Sequence, residues 1–470
     1  MRKVLGALVG ALGLILAAVV ALWARPPELI RVGSGYAAKI VCSNAFLTGR
    51  DPFEVLRTDV QAPGHPLLKL MRVRVDRRTG LVRAGLFGFM GDGLAVRNGD
   101  AGCTLVPDGK LATALRGGAG GAPSMLAAPP TADDPRPVAT PLQALIADAT
   151  LAGPGMRAVV ILKNGQIVAE AYADGFGPHT RQLGWSMTKT VTAGLIGLLV
   201  KDGRLSLEQT AGWPAGDGRE RIRVADLMSM SSGLEFNEGY GSVSDVTRML
   251  YLEADMSAFA RAKPLAHPVG TVWSYSSGTA VILSRLFQDA LGPGADAAGF
   301  VRTRLFEPLG MTSAVIELDE AGTLTGSSYM YATPRDWARF GQLLLQGGLW
   351  NGRELLPQGY VSMMASAAPA SGGEYGRGMV WRWVTHSDIP GENPDAAYGI
   401  PSDTFWMAGH DGQYVAIIPS RGLVIVRMGL TPAREHYRVE PLVRAVLDAA
   451  DRAGGAALTP ASGDPGGNPR

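Results

Sequence analysis

The chain has 470 residues, of which 46% are hydrophobic and 18% charged, and its formal net charge at pH 7 is +2. This length allows one large enzyme domain with extensions, or two to three ordinary domains, and the apolar share can fill a sizeable core. The nearly balanced charge gives no global basic field, so binding to nucleic acid is not expected.

The first 25 residues have the pattern of a membrane anchor. Arg2 and Lys3 precede an uninterrupted apolar run, residues 4–24, which is long enough to cross a bilayer. By the positive-inside rule, the N-terminus would stay in the cytoplasm and the rest of the chain would be exported. The long apolar run lacks a good small-x-small cleavage site, which favours an uncleaved anchor over a cleaved signal peptide. Residues 1–25 therefore predict a protein of the cell envelope, held in the cytoplasmic membrane with its body on the outer side.

Residues 26–115 are predicted to form a small β-rich unit. Two runs with strand character, 68–75 and 80–86, flank the turn-forming residues 76–79, which is the pattern of a β-hairpin. The composition then changes to Gly, Ala and Pro, which predicts a linker at 116–137.

The two cysteines of the chain, Cys42 and Cys103, both lie in this first unit. A single pair in an exported chain indicates a disulfide. A metal site would need more ligands than the pair offers, so no metal is expected.

Residues 138–453 are predicted to be the main domain, followed by a disordered tail at 454–470. Two β runs flank Asn164-Gly165, a strong hairpin signal. The region between about 205 and 339 is mainly helical, and β character returns at 405–429 before a final helix. Strands at both ends with helices between them indicate an antiparallel sheet assembled from the two chain ends, with a helical region inserted.

The stretch Gly184-Trp185-Ser186-Met187-Thr188-Lys189 leads into an apolar run and is predicted to be a loop entering a helix. At this spacing Ser186 and Lys189 share one helix face. A serine hydroxyl becomes a nucleophile when a neighbouring base takes its proton, and a lysine with a lowered pKa can be that base. The alternative is a serine that only caps the helix.

Two later stretches offer partners for this pair. Tyr275, in Trp-Ser-Tyr-Ser-Ser-Gly, could shuttle a proton between nucleophile and leaving group, or could be an ordinary buried aromatic residue. His410 and Gly412, in Ala-Gly-His-Asp-Gly-Gln, precede a strand. There a polar side chain could face the substrate while the next backbone N–H points at an oxyanion, although a plain turn would have the same pattern.

In this order the three stretches resemble the penicillin-recognising serine hydrolases, the class C β-lactamase-like superfamily. Its signatures run Ser-x-x-Lys, Tyr-x-Asn, and Lys-Thr-Gly or a His-x-Gly variant. Residues 226–234 and 307–311 are similar to further recurring segments of that superfamily, and the resemblance covers roughly 140–450. It implies an α+β fold, a β-lactamase-like αβ sandwich with an all-helical subdomain, preceded here by the transmembrane helix and the small β-rich extension.

The resemblance also implies roles for individual residues. Ser186 would be the acylated nucleophile, and its backbone N–H would form the oxyanion hole together with that of Gln413. Lys189 and Tyr275 would share general base and acid duty, and how the proton divides between them stays open.

The chain departs from the cephalosporinase pattern at two places. Ser277 stands where those enzymes carry Asn, and His410-Asp411 stands in place of Lys-Thr. Losing the groups that hold the amide and carboxylate of a β-lactam weakens the case for that substrate. The His-x-Gly form is seen in esterases and in nylon-oligomer (aminohexanoate-dimer) hydrolases. Ser244-Asp245, together with residues 236–238, looks most like the latter branch. Asp245 could suit a substrate amine, or it could be a solvated helix cap. The predicted substrate-binding residues are Ser277, His410, Asp411, Gly412 and Asp245.

The sequence therefore predicts a serine hydrolase that cleaves an amide or ester of a small-molecule or peptide-like substrate. Two alternatives stay open: a D,D-peptidase or β-lactamase, and a non-catalytic penicillin-binding-like module that binds peptides. No cofactor is expected, because the chain has no Gly-rich phosphate loop in a strand–helix context and no His-Glu-x-x-His pair. The pattern gives no indication of the oligomeric state.

Overall fold

The computed structural model describes residues 23–110, 141–385 and 391–456, together with the isolated positions 4, 10, 13, 20, 21, 112 and 389. The predicted linker 116–137 and all but the start of the predicted tail 454–470 lie outside these residues. Most of the predicted membrane span 4–24 lies outside them too. Among the residues that are described, no helix is both long and apolar enough to cross a membrane.

The N-terminal unit is a helix packed on a four-stranded antiparallel sheet with strand order β1-β2-β3-β4. The expectation of a β-rich unit with a hairpin is confirmed, but its long helix was not foreseen. The unit's helices and strands are α1 (Glu28–Ser43), α2 (Pro52–Val55), β1 (Met71–Asp76), β2 (Leu81–Leu86), β3 (Met90–Arg97) and β4 (Cys103–Val106). Strand β1 starts three residues later than predicted, because Pro66–Leu70 forms a 3-10 helix in which the His65 side chain accepts a hydrogen bond from the backbone of Leu67.

A disulfide between Cys42 and Cys103 joins α1 to β4, as predicted. Next to it lies a buried ion pair between Lys39 and Glu317. Glu317 also accepts hydrogen bonds from the Ser43 hydroxyl at 2.8 Å and from the backbone N–H of Cys103 at 2.6 Å. Since Glu317 belongs to the main domain, this cluster fastens the N-terminal unit to it.

The main domain contains the remaining elements. Its helices are α3 (Pro141–Ile146), α4 (Ala149–Ala152), α5 (Met187–Lys201), α6 (Val224–Met228), α7 (Asp245–Leu252), α8 (Met256–Arg261), α9 (Ser277–Leu291), α10 (Ala297–Val301), α11 (Glu307–Leu309), α12 (Pro334–Leu345), α13 (Tyr360–Ala365) and α14 (Glu440–Ala456). Its strands are β5 (Met156–Lys163), β6 (Gln166–Tyr172), β7 (Gln182–Leu183), β8 (Val315–Ile316), β9 (Met330–Ala332), β10 (Leu349–Trp350), β11 (Arg353–Glu354), β12 (Phe405–Gly409), β13 (Gln413–Ile418) and β14 (Leu423–Gly429).

The central sheet contains strands from both ends of the main domain, as predicted. Its strand order is β12-β13-β14-β5-β6, and every neighbouring pair is antiparallel. Side chains alternate between its faces, as the pleat requires. Val159 and Ile161 face a core shared with α14, whereas Val160 and Leu162 face the larger core shared with α5 and α12. The predicted sandwich of helices on both sides of the sheet is therefore present.

Candidate active site

The turn before α5 presents Ser186 at the helix start. Trp185 has a left-handed backbone (φ 48°), whereas Ser186 is already helical (φ −64°, ψ −11°). The Ser186 hydroxyl makes no capping hydrogen bond to the helix backbone. A left-handed tryptophan costs free energy and needs support from its surroundings; here the Trp185 carbonyl accepts a 2.6 Å bond from Thr188 Oγ1. The reading of Ser186 as a simple helix cap is therefore not supported.

Two glycines allow this turn to be packed closely. A Cβ on Gly184 would lie 2.1 Å from the ring of Trp337, and one on Gly409 would lie 2.2 Å from the carbonyl oxygen of Gly184. Real Cβ atoms do not approach other heavy atoms that closely, so both positions require glycine. The close approach of Gly409 brings the end of β12 against the turn that carries Ser186.

Lys189 lies one helical turn further on and points back at the serine. Its ammonium donates hydrogen bonds to Ser186 Oγ at 2.9 Å, Ser277 Oγ at 3.0 Å and the carbonyl of Ser327 at 3.0 Å. The residue is 1% exposed. Burial lowers the pKa of Lys189 to about 8, although the carboxylate of Glu238 partly opposes this shift. The neutral amine needed for a base is therefore accessible near neutral pH.

Tyr275 completes the group around Ser186. The Lys189 ammonium lies 4.8 Å from the centre of the Tyr275 ring. Burial and the nearby Glu238 carboxylate raise the pKa of Tyr275, while a hydrogen bond with Ser186 lowers it. The net rise keeps the residue a neutral phenol, which can donate or relay a proton. Its ring stacks on Trp381 with centroids 5.4 Å apart, and this contact fixes its position.

Glu238 is the site residue that the sequence reasoning missed. Its carboxylate accepts a 2.5 Å hydrogen bond from Ser277 Oγ and a 2.7 Å bond from the Ser277 backbone N–H. Burial raises the pKa of Glu238, and Lys189 opposes that rise. In the sequence, Glu238 was noted only as part of residues 236–238, which resemble a segment of the hydrolase family. Its distance of 39 residues from Ser277 left no local pattern that would pair the two.

Ser277 itself is fully buried at the first position of α9, with its hydroxyl between Lys189 and Glu238. The structure therefore brings it to the site but behind the reacting groups. The substrate contact predicted for it stays a prediction.

The turn between β12 and β13 carries the third predicted stretch. Asp411 and Gly412 have positive φ angles of 57° and 83°. His410 is half exposed, and its Nε2 lies 3.5 Å from the buried carboxylate of Asp411. Burial raises the pKa of Asp411, and His410 opposes this rise. The Gly412 carbonyl accepts a 2.7 Å bond from the buried guanidinium of Arg427, which holds the turn in place.

Gln413 opens β13 and is buried. Its side chain accepts a 3.0 Å bond from the backbone N–H of Gly429 and donates a 2.6 Å bond to the carbonyl of the same residue. It also donates to the carbonyl of His410 at 3.1 Å. These bonds fix the strand end, and the oxyanion role of the Gln413 N–H stays a prediction.

Asp245 lies apart from this group. It is the first residue of α7, forms a 2.5 Å ion pair with Lys263 and accepts a 2.9 Å bond from the backbone N–H of Asn237. These contacts account for its carboxylate without a substrate, which favours the structural alternative that the sequence left open.

An open cleft of about 330 Å³ gives access to Ser186. Aromatic and small residues dominate its walls. They are Trp185, Ser186, Glu238, Tyr240, Tyr275, Trp381, Val384, Ala408, Gly409, His410 and Tyr414. Across the ranges that the structure describes, no cluster of three or more His, Cys, Asp or Glu side chains is arranged to hold a metal ion.

Comparison with known proteins places this fold and cleft in a family. The family model described as Beta-lactamase matches residues 144–447. A 6-aminohexanoate-dimer hydrolase of Paenarthrobacter ureafaciens is 23% identical in an alignment of 304 positions, which covers 58% of this chain and 72% of that protein.

Solved structures agree in fold. One carries the provisional name 6-aminohexanoate-dimer hydrolase, from Bacillus anthracis; its TM-score is 0.54 at 24% identity, over 67% of this chain and 83% of that one. A penicillin-binding protein homolog from Caulobacter crescentus has a TM-score of 0.51 at 19% identity, over 66% and 96%. Because the family model covers more than half of the residues, the chain belongs to the β-lactamase family of serine hydrolases.

Proposed function

We propose that this enzyme cleaves an amide or ester bond through an acyl-enzyme on Ser186. The observation that carries the proposal is the contact of a buried lysine, with its pKa lowered to about 8, with the Ser186 hydroxyl at 2.9 Å. A hydroxyl that is not used for capping and that touches such a lysine is arranged for deprotonation. A module that only binds peptides has no need of this arrangement.

The proposed reaction has two stages, acylation of Ser186 and hydrolysis of the resulting ester. Ser186 Oγ attacks the substrate carbonyl while its proton passes to neutral Lys189, either directly or through the Tyr275 phenol, which gives its own proton to Lys189 as it accepts that of Ser186. The backbone N–H groups of Ser186 and Gln413 stabilise the oxyanion. The tetrahedral intermediate collapses, and the amine or alcohol leaves with a proton from the same pair. Water, deprotonated by that pair, then hydrolyses the Ser186 ester and releases the acid. The sharing of the proton between Lys189 and Tyr275 is part of the proposal.

Three features of the site favour another amide or an ester over a β-lactam. His410 stands at the cleft where cephalosporinases carry a lysine, and Ser277 is buried, so neither offers the usual partners of a β-lactam. The acidic Asp411 beside the cleft would also disfavour an anionic substrate. The relative named as a 6-aminohexanoate-dimer hydrolase supports an amide. D,D-peptidase or β-lactamase activity is the second candidate, favoured by the fold shared with a penicillin-binding protein homolog.

Covalent labelling tests the proposal. The full-length protein is incubated with a fluorophosphonate probe or, separately, with a penicillin, and its intact mass is measured. We expect a phosphonate adduct on Ser186 and no stable penicillin adduct. Ser186→Ala should abolish turnover and labelling, while Lys189→Ala and Tyr275→Phe should each lower turnover by orders of magnitude.

Each other outcome has a distinct meaning. Stable acylation by penicillin would favour the peptidase or lactamase candidate. Absence of both adducts would favour the binding module. Full activity in Ser186→Ala would refute Ser186 as the nucleophile.

We further propose that residues 4–24 hold the enzyme in the cytoplasmic membrane with the catalytic domain outside the cytoplasm. The positively charged start of the chain and the Cys42–Cys103 disulfide support this location, because disulfides persist in oxidising compartments. Extraction of membranes at alkaline pH tests it. We expect the full-length protein to stay in the membrane pellet and to resist thiol labelling. Release into the soluble fraction would contradict the anchor.

A further inference from the structure

A second, larger pocket of about 470 Å³ lies beside the catalytic cleft. One wall comes from the N-terminal unit, where α1 contributes Leu29 and Val32 and the segment before β1 contributes Leu67 and Leu68. Leu29 and Leu67 are half-buried, and Val32 and Leu68 are buried. These side chains give the wall an aliphatic surface.

The opposite wall belongs to the main domain and is shared with the catalytic cleft. Trp185, Tyr240 and His410 line both spaces. The rings of Tyr240 and His410 lie 5.0 Å apart, and Trp185 meets the His410 ring edge-on at 5.7 Å. Tyr240 is 40% exposed and the His410 side chain 45%, so this aromatic partition ends at the surface. A substituent of a substrate whose carbonyl lies at Ser186 can therefore pass over the edge of this aromatic partition into the pocket.

The N-terminal wall is held rigidly in place. Arg434 donates hydrogen bonds to the carbonyl of Pro63 at 2.7 Å and to that of Ala62 at 3.0 Å, and so ties the loop after β14 to the segment before β1. At the other side, Tyr36 of α1 packs edge-on against Tyr251 of α7, with centroids 5.7 Å apart. The pocket is thus a fixed feature of the described structure.

The aliphatic wall lies outside the part of the chain that matches the family. The family model covers residues 144–447, whereas the wall residues lie between 29 and 68. The family fold alone would leave this side of the Ser186 cleft open. The added unit closes it with aliphatic side chains, which gain free energy only when they cover an apolar group.

We propose that the second pocket binds an aliphatic chain of the substrate, so that the enzyme prefers esters or amides carrying a medium-length alkyl chain. This inference rests on the proposed function, because it extends from a carbonyl placed at Ser186. The alkyl chain of the substrate is on either the acyl side or the leaving-group side of the scissile bond. Two ester series, with the chain on one side each, distinguish these arrangements.

Hydrolysis rates of the full-length protein test the inference. The acyl series is p-nitrophenyl acetate, butanoate, hexanoate and octanoate; the leaving-group series is the phenylacetate esters of ethanol, butanol, hexanol and octanol. In one series we expect kcat/KM to rise by about fourfold per methylene, the factor that burial of one methylene gives. The other series should be nearly flat.

Variants locate the effect in the pocket. Leu67→Asp places a charge in the aliphatic wall, and we expect it to lose most of the gain on the octyl substrate while keeping the rate on the shortest ester. Leu70→Asp is the matched control, since Leu70 lies in the same 3-10 helix but is 39% exposed and does not line the pocket. It should behave like the native enzyme. Leu29→Asp provides a second pocket variant if Leu67→Asp fails to fold.

The outcomes separate the two proposals. Hydrolysis of the short esters with no dependence on chain length, or equal dependence in native and folded pocket variants, would overturn the pocket while leaving the serine hydrolase intact. Absence of hydrolysis of every ester, together with absence of labelling at Ser186, would overturn both.

Discussion

Replacing Glu238 by glutamine should shift the pH dependence of catalysis. The Ser277 hydroxyl bridges Lys189 and Glu238 through bonds of 3.0 Å and 2.5 Å. The ammonium nitrogen therefore lies no more than about 5.5 Å from the carboxylate oxygen. At an effective dielectric constant of about 20, two unit charges at that distance attract by about 3 kcal/mol. This corresponds to about two pKa units.

The direction follows from the charges. The carboxylate favours the ammonium form of Lys189, and the pKa of Lys189 is about 8 with Glu238 in place. As a base, Lys189 must be neutral, so kcat/KM of the native enzyme should rise with pH around 8. Removing the negative charge removes the attraction. In Glu238→Gln the rising limb should therefore move to lower pH, by about two units.

The assay measures kcat/KM for a short p-nitrophenyl ester between about pH 5 and pH 10. This range includes the pH at which a lysine with a lowered pKa loses its proton. Glu235→Gln removes an exposed carboxylate from the same loop and should leave the limb near 8. Thermal unfolding of Glu238→Gln checks that replacing one of the two carboxylate oxygens that accept bonds from Ser277 has not unfolded α9. A limb that stays near 8 in the folded variant would mean that Glu238 already carries a proton, and would refute the charge argument.

Two further substitutions test the packing that holds the site. Gly409→Ala should lower kcat at least tenfold, because the new Cβ would lie 2.2 Å from the carbonyl oxygen of Gly184 and displace the turn that carries Ser186. Gly177→Ala is the control, since nothing lies within 4 Å of a Cβ there. Equal kcat values in the two variants would show that the close approach of Gly409 to Gly184 does not hold the site. Lys39→Met should destabilise the protein by about 3–5 kcal/mol in urea unfolding, since it leaves the Glu317 carboxylate buried without its partner. A loss below about 1 kcal/mol, the value of a surface pair, would show that this ion pair does not fasten the N-terminal unit.

The elements that the sequence predicted correctly have strong local signals. The Asn164-Gly165 turn and the helix from Ser186 both appear as expected, because each is determined by neighbouring residues. The Ser186–Lys189 contact follows from helical spacing. The approach of Tyr275 was expected only from the resemblance to a family.

What the sequence did not predict depends on distant contacts. Helix α1 was missed because its hydrophobic stretch follows the apolar run at the start of the chain and contains two glycines, Gly33 and Gly35, that weaken the helical pattern. Those glycines allow β1 and α7 to approach: a Cβ on Gly33 would lie 2.9 Å from the side chain of Met71, and one on Gly35 would lie 3.1 Å from the Tyr251 carbonyl oxygen. The role of Glu238 was missed because only the folded chain brings it to Ser277.

The central sheet also determines when the enzyme can become active during synthesis. Strand β5 pairs with β14, and the pair Lys163–Leu423 spans 260 residues of chain. At about 5–20 residues per second, a ribosome needs about 13–52 s to make that interval. For this time the β5–β6 hairpin has an open edge, which can pair with other chains. Gly409 and Gln413 are synthesised more than 200 residues after Ser186. The nascent chain therefore cannot form the site around Ser186 until these residues have been made. A chain that ends before β14 should therefore be inactive and prone to aggregation, although it already contains Ser186, Lys189 and Tyr275.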